Sequence, residues 1–364
     1  MARDASRPGE VQFPGEVQLR GNTGKQHRDI VVVGGSAGVL DPLRALIAGL
    51  PADFPATVLV VSHIGSNPSQ LPALLSGPGP LRAMHARYGD LLRPGRIYVA
   101  PPDCHMLVAD GHIELTRGPR EHFTRPAIDP LFRSAARVGG ARVIGVILSG
   151  NGSDGAAGLE QISRCGGVAI VQAPAEAQAE EMPQTAVAIA EPDHVVPSAE
   201  MSGLLTRLAA EPISAVRLTE DKTSTAMTRL EHPIALTCPE CGGALREEDS
   251  TRLLTYRCHT GHRVSATELL SHQHDEAERA VIVAVRVLNE RAELCRHMID
   301  DARSAGRSHG VAYWTRLASE SHQQLQVLQR FLTRPREDER EEARTEHLEP
   351  KTGGLAVRSP SVIR

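Results

Sequence analysis

Asp29-Ile30-Val31-Val32-Val33 runs straight into Gly34-Gly35-Ser36-Ala37-Gly38. A short, continuous Val/Ile run closed by glycines reads as a strand covered by helices on both faces and feeding a tight turn. The same pattern recurs twice. Ala56 to Val61 ends in Ser62-His63-Ile64, and Arg142 to Leu148 ends in Ser149-Gly150-Asn151-Gly152-Ser153-Asp154-Gly155. Read as strands of one parallel sheet, these runs set Ser36, His63 and Asp154 just beyond three carboxyl ends. Open α/β sheets build their ligand crevices at that edge.

The rest of the first half keeps a βαβ rhythm. Pro42 to Leu50 has helical apolar spacing, Pro68 to Leu75 predicts a second short helix, and Arg96 to Ala100 reads as a third strand stopped by Pro101-Pro102. Asp110-Gly111, between His105–Ala109 and His112–Leu115, is a favoured hairpin turn. Pro130 to Val138 and Gly155 to Cys165 predict helices, Gly167 to Gln172 and His194 to Pro197 strands, and Ala199 to Ala209 a closing helix. The expected fold is α/β, a doubly wound, mainly parallel sheet with a small antiparallel addition.

The expected boundaries are a disordered segment 1–28, a catalytic domain 29–212 and a linker 213–235. A compact Cys/His knuckle 236–264, a helical hairpin 265–332 and a disordered tail 333–364 follow. Ser265-Ala266-Thr267-Glu268 is a capping-box arrangement that opens the helical part. Ala277, Val281, Ala284, Leu288, Ala292, Cys295 and Ile299 then form one apolar stripe, and Trp314, Leu317, Ser321, Leu325 and Leu328 a second.

Hydrophobic residues make up 41% of the 364, enough for a filled core, while aromatics supply only 3%. A formal net charge of −4, without basic patches carrying aromatics, argues against a nucleic-acid partner. No apolar run approaches the roughly 18 residues of a membrane span. The N-terminus lacks the apolar core of a signal peptide. A cytoplasmic protein is the expectation, and the scattered and clustered placement of its six cysteines fits a reducing compartment.

A hydroxyl, an imidazole and a carboxylate on one rim suggest a serine hydrolase. Glycines around Ser36 allow close approach by a substrate, and a following helix would aim free N–H groups at developing negative charge. A phosphate-cradling loop or a plain βα turn is the alternative, although neither G-x-G-x-x-G nor G-x-x-x-x-G-K-S/T is present. His63 suits a general base near neutral pH, with His85 and His105 as rivals. Asp154 competes with Asp129 as the third member, and either could instead cap a helix.

At this point the ordered blocks resemble a family. Val33 to Gly38, Val61-Ser62-His63, Arg93 to Pro101, Arg125 to Phe132, Ile147 to Ala156 and Glu181-Met182-Pro183 together are similar to the catalytic domain of CheB-type chemotaxis protein-glutamate methylesterases. The resemblance covers roughly 29–212. It implies Ser36 as nucleophile, His63 as its base and Asp154 as the third member of a triad that needs no cofactor. It further implies hydrolysis of glutamate γ-methyl esters on methyl-accepting, chemoreceptor-like proteins, with methanol released. A chemotaxis methyltransferase or kinase would be a further partner. Glutamine deamidation at the same serine, or a non-catalytic signalling scaffold, is the alternative. Family members commonly carry Ser-Thr-Gly-Gly where this chain has Ser36-Ala37-Gly38-Val39, and Thr-Gly-Met-Gly where it has Ser149-Gly150-Asn151-Gly152. The methionine of the latter block is associated with the oxyanion region. Only 28 residues precede the first strand, so an N-terminal phosphorylation domain is not expected.

The knuckle carries its own chemistry. Cys238-Pro-Glu-Cys241 and Cys258-His-Thr-Gly-His262 give C-x2-C and C-x3-H separated by sixteen residues, a spacing suited to a structural, tetrahedral zinc site. Cys238, Cys241, Cys258 and His262 are the expected ligands, with His259 competing for the fourth place. The two helical stripes could pack on each other or join two copies of the chain.

Overall fold

The computed structural model describes residues 27–63, 68–213, 236–248 and 252–333. The segment 1–28, the linker 213–235 and the tail 333–364 expected from sequence lie almost wholly outside these residues. The chain divides into two compact units, 1–268 and 269–364. The Cys/His knuckle therefore clusters with the catalytic region rather than with the helices.

Within the first unit, β1 (Ile30–Gly35) leads into α1 (Leu40–Ala48), β2 (Thr57–Ser62) into α2 (Leu71–Ser76), and β3 (Arg82–His85) precedes β4 (Arg96–Val99). The hairpin β5 (His105–Ala109) and β6 (His112–Thr116) turns at Asp110-Gly111 as expected. Next come α3 (Ile128–Gly139), β7 (Val143–Ile147), α4 (Ala156–Arg164), β8 (Val168–Gln172), α5 (Glu181–Ala190), β9 (His194–Val196) and α6 (Ser198–Ala210). Among the described residues seven strands pair in the order β3-β4-β2-β1-β7-β8-β9, every pairing parallel. The doubly wound sheet expected from the sequence is the fold.

Two elements around the parallel sheet were not read from the sequence, nor were the three short strands of the Cys/His knuckle. Arg96–Val99 is the fourth strand, because β3 lies on the sheet edge as Arg-Ala-Met-His, with alternating exposed and half-buried residues and no apolar run to mark it. The helix α5 escapes because Pro183 sits in its first turn, where a proline reads as a break.

The core follows from strand alternation. Val31 and Val33 point to one side of β1, where they join Leu43, Leu46 and Ile47 of α1 and Leu205 of α6. Ile30 and Val32 point to the other, against Leu131 and Phe132 of α3 and Leu159 of α4. Both faces are covered, so the strands show no polar alternation. The chain first builds outward from β1 through β2, then crosses to β7 on the opposite side. That reversal makes the carboxyl edge beside β1 the topological switch point.

The knuckle region adds a three-stranded antiparallel sheet of β10 (Leu245–Glu248), β11 (Thr255–Cys258) and β12 (Arg263–Ser265). The helix α7 (Ala266–Ser304) begins at the end of this unit. In the second unit α7 and α8 (Ser308–Leu332) are separated by a short turn in which Gly306 takes a φ of 68°. Ala292, Cys295, Ser321 and Leu325 of the two stripes are buried, whereas Ala277 is exposed. Among the described residues no helix is long and apolar enough to cross a membrane.

Candidate active site

Ser36 and His63 each stand one residue past a paired position. Gly35 of β1 aligns with Ser62 of β2, so the next residues on these neighbouring parallel strands emerge side by side. The turn after β1 is held from below: Ser36 N–H donates to Ser149 O at 2.9 Å, and Ser149 Oγ donates to Ala37 O at 2.8 Å. Gly150 lets the two turns touch, since a Cβ there would meet Met182 Sδ at 2.8 Å and Ser36 Cβ at 3.0 Å. With Ser36 N–H committed, the Ala37 and Gly38 N–H groups remain without a partner among the described residues, at the start of α1. Among the described residues the Ser36 hydroxyl makes no hydrogen bond to His63. Such bonds are often long before substrate binds.

His63 Nε2 lies 2.8 Å from Asp154 Oδ2. A carboxylate can only accept, so Nε2 carries the proton and Nδ1 keeps the lone pair. Asp154 is 1% exposed and accepts two further hydrogen bonds, with an imidazole close by. Ile128 N–H reaches Oδ2 at 2.6 Å, Asp129 N–H reaches Oδ1 at 2.9 Å, and His122 Nε2 lies 3.8 Å from Oδ1. The carboxylate thus caps α3 from outside its own chain segment, where Ala127 offers no side-chain cap. Burial opposes its charge, but His122, His63 and the Ile128 N–H outweigh burial and hold Asp154 below the ordinary carboxylate range.

The rivals are occupied elsewhere. His85 Nε2 meets Ser69 O at 3.2 Å, and His105 is spent on Pro119 O and Ala127 N–H. Asp129 accepts Gly158 N–H of α4 at 2.7 Å and faces His122 Nε2 at 3.0 Å. Sequence reasoning missed His122 itself. It is buried between three carboxylates, its Nδ1 2.6 Å from Glu268 Oε2. Burial disfavours its charge, but Glu268, Asp154 and Asp129 raise its pKa well above the ordinary value. Glu268 was visible only as half of a capping box; its partner in another segment had no signal in the sequence.

At the knuckle one atom each from Cys238, Cys241, Cys258 and His262 lies within 4.8 Å of the others. Cys241 and Cys258 Sγ are 3.7 Å apart, and His262 Nδ1 lies 3.7 Å from Cys238 Sγ and 3.5 Å from Cys258 Sγ. Ligands at about 2.0–2.3 Å from a tetrahedral zinc have edges of this length. His259 is not in this group and packs over Gly243, where a Cβ would meet its Nδ1 at 2.2 Å.

Residues 31–205 match the CheB methylesterase family. A protein-glutamate methylesterase/protein-glutamine glutaminase of Anaeromyxobacter dehalogenans is 39% identical over 181 residues, covering 50% of this chain and 53% of the relative. A putative enzyme of the same description from Leptospira interrogans is 34% identical over 182 residues, 50% of this chain and 94% of the relative. The solved CheB methylesterase catalytic domain of Thermotoga maritima is 30% identical, with a TM-score of 0.48 over 50% of this chain and 98% of that one. The chain belongs to the CheB methylesterase family. Its match spans about half the length of several curated relatives, 53% and 55% of two of them.

Proposed function

We propose that this protein hydrolyses glutamate γ-methyl esters on chemoreceptor-like signalling proteins, with Ser36, His63 and Asp154 as catalytic residues. The observation that carries the reading is the 2.8 Å His63–Asp154 pair beside Ser36 at the switch point of the sheet. Ser36 Oγ attacks the side-chain carbonyl while His63 Nδ1 takes its proton. Asp154 fixes the tautomer and offsets the imidazolium charge. The Ala37 and Gly38 N–H groups receive the oxyanion, a task for which the committed Ser36 N–H is not free. His63 then protonates the departing methoxide, giving methanol and a Ser36 acyl ester, and water deprotonated by His63 hydrolyses that ester to free the glutamate and Ser36. No cofactor enters these steps.

The relatives' names also carry protein-glutamine glutaminase, which favours deamidation at the same serine as a second reading. The reaction that supplies the ester is a methyl transfer to receptor glutamates, so a methyltransferase belongs to the same system, in the cytoplasm. We further propose a structural zinc on Cys238, Cys241, Cys258 and His262, supported by the donor set and its spacing. Exposed apolar side chains on α7, among them Ile282, Val283, Val287 and Leu294, support self-association through the helices.

The test is methanol release from a methylated receptor fragment. Ser36→Ala is expected to lower kcat by roughly 10⁴- to 10⁶-fold, the scale of losing a triad nucleophile. Release at the parent rate would refute the assignment, and ammonia from an unmethylated, glutamine-bearing receptor would establish the second reading.

A further inference from the structure

Glu268 closes the capping box at the head of α7. Its Oε2 accepts the Ser265 N–H at 3.2 Å and the Ser265 hydroxyl at 2.9 Å. The same carboxylate reaches back into the catalytic region at two points. Its Oε1 accepts Ser153 N–H at 3.2 Å, one residue from Asp154, and its Oε2 holds His122 Nδ1 at 2.6 Å. Ser153 and Ser265 are also joined through their hydroxyls at 2.9 Å, and His122 N–H donates to Arg263 O at 2.8 Å. The approach is close: a Cβ on Gly152 would lie 3.0 Å from Glu268 Oε1.

From this geometry we infer that Glu268 and His122 are positioning residues for Asp154. The segment after the knuckle would then be a working part of the active site rather than an appendage. His122 bridges Glu268 and Asp129 and lies 3.8 Å from Asp154, while Ser153 N–H ties the glycine-rich turn to the same carboxylate. The turn that carries Asp154 contains Gly152 and Gly155 at φ of 82° and 92°, so it has little stiffness of its own. Contacts from Glu268 supply what the turn lacks. The inference rests on the triad reading above for its catalytic part, and on the hydrogen-bond network alone for its structural part.

The test uses the full chain carrying Glu268→Gln, which keeps the length and the Ser265 cap but removes the charge. The first arm is proton NMR of the downfield His63 Nε2 proton, assigned by its loss in His63→Gln. The resonance is expected to move in Glu268→Gln although Glu268 does not touch His63. An unmoved resonance would overturn the coupling whether or not the protein is an esterase. The second arm is kinetic: kcat for methanol release is expected to fall about 10- to 100-fold with KM nearly constant, as for misplacement of a reacting group. A kcat within twofold of the parent would overturn the catalytic part. Methanol release absent from the parent would instead refute the methylesterase reading, with the NMR arm still deciding the coupling. If Glu268→Gln does not fold, Glu268→Asp carries both comparisons, keeping the charge while shortening its reach to His122.

Discussion

His122 is sealed among Asp129, Asp154 and Glu268, with Arg133 3.7 Å from Asp129. Burial works against the charge of Glu268, yet His122 and the N–H and O–H groups around it draw its pKa down to about 2. A depressed carboxylate stabilises the fold above its unfolded pKa and loses that contribution as pH falls through the folded one. Stability is therefore expected to drop between about pH 4.5 and 2, and Glu268→Gln to flatten the drop, as read by urea midpoints across that range. The raised pKa of His122 acts at the other end, its contribution present below the ordinary imidazole range and lost only at higher pH. The placement of Ser36, His63 and Asp154 in turns that follow apolar strands was legible in the sequence, and so was the nearness of the first two. His122 was not, because it lies in an irregular stretch between hairpin and helix, and its partners come from three separate segments.

At the level of elements, the active site depends on how closely α3 approaches β1. Ile128, whose N–H binds Asp154, also packs on Gly34, where a Cβ would lie 2.4 Å from Ile128 Cγ2. Gly34→Ala must push the head of α3 away from the sheet. It is expected to lower the melting temperature by several degrees, on the order of 1–3 kcal/mol for overpacking, and to reduce kcat. A variant with parent-like melting and turnover would show that α3 can move without disturbing Asp154. The central strands were readable from continuous Val and Ile because both faces are covered. The edge strand β3 was not, since its residues alternate between exposed and half-buried, and α5 was not, because Pro183 near its start reads as a break.

Across the whole molecule, the knuckle is locked to the catalytic region by ion pairs as well as by Glu268. Arg263 reaches Glu121 of the catalytic region at 3.3 Å while held within the knuckle by Glu248 at 2.9 Å, and Arg120 faces Glu240 at 3.5 Å. If zinc organises this knuckle, purified protein is expected to contain stoichiometric zinc by elemental analysis. Cys241→Ser is then expected to lose both the metal and most of kcat, because β12 carries the carbonyl that holds His122. Metal-free parent protein with full activity would refute that dependence.

The crowd of carboxylates around His122 has one further consequence. Asp129, Asp154 and Glu268 share a single imidazolium, and the nearby Arg133 and Arg263 are largely answered by Glu121 and Glu248. Carboxylates thus outnumber cations in this cluster, and Asp154 is the member that meets His63.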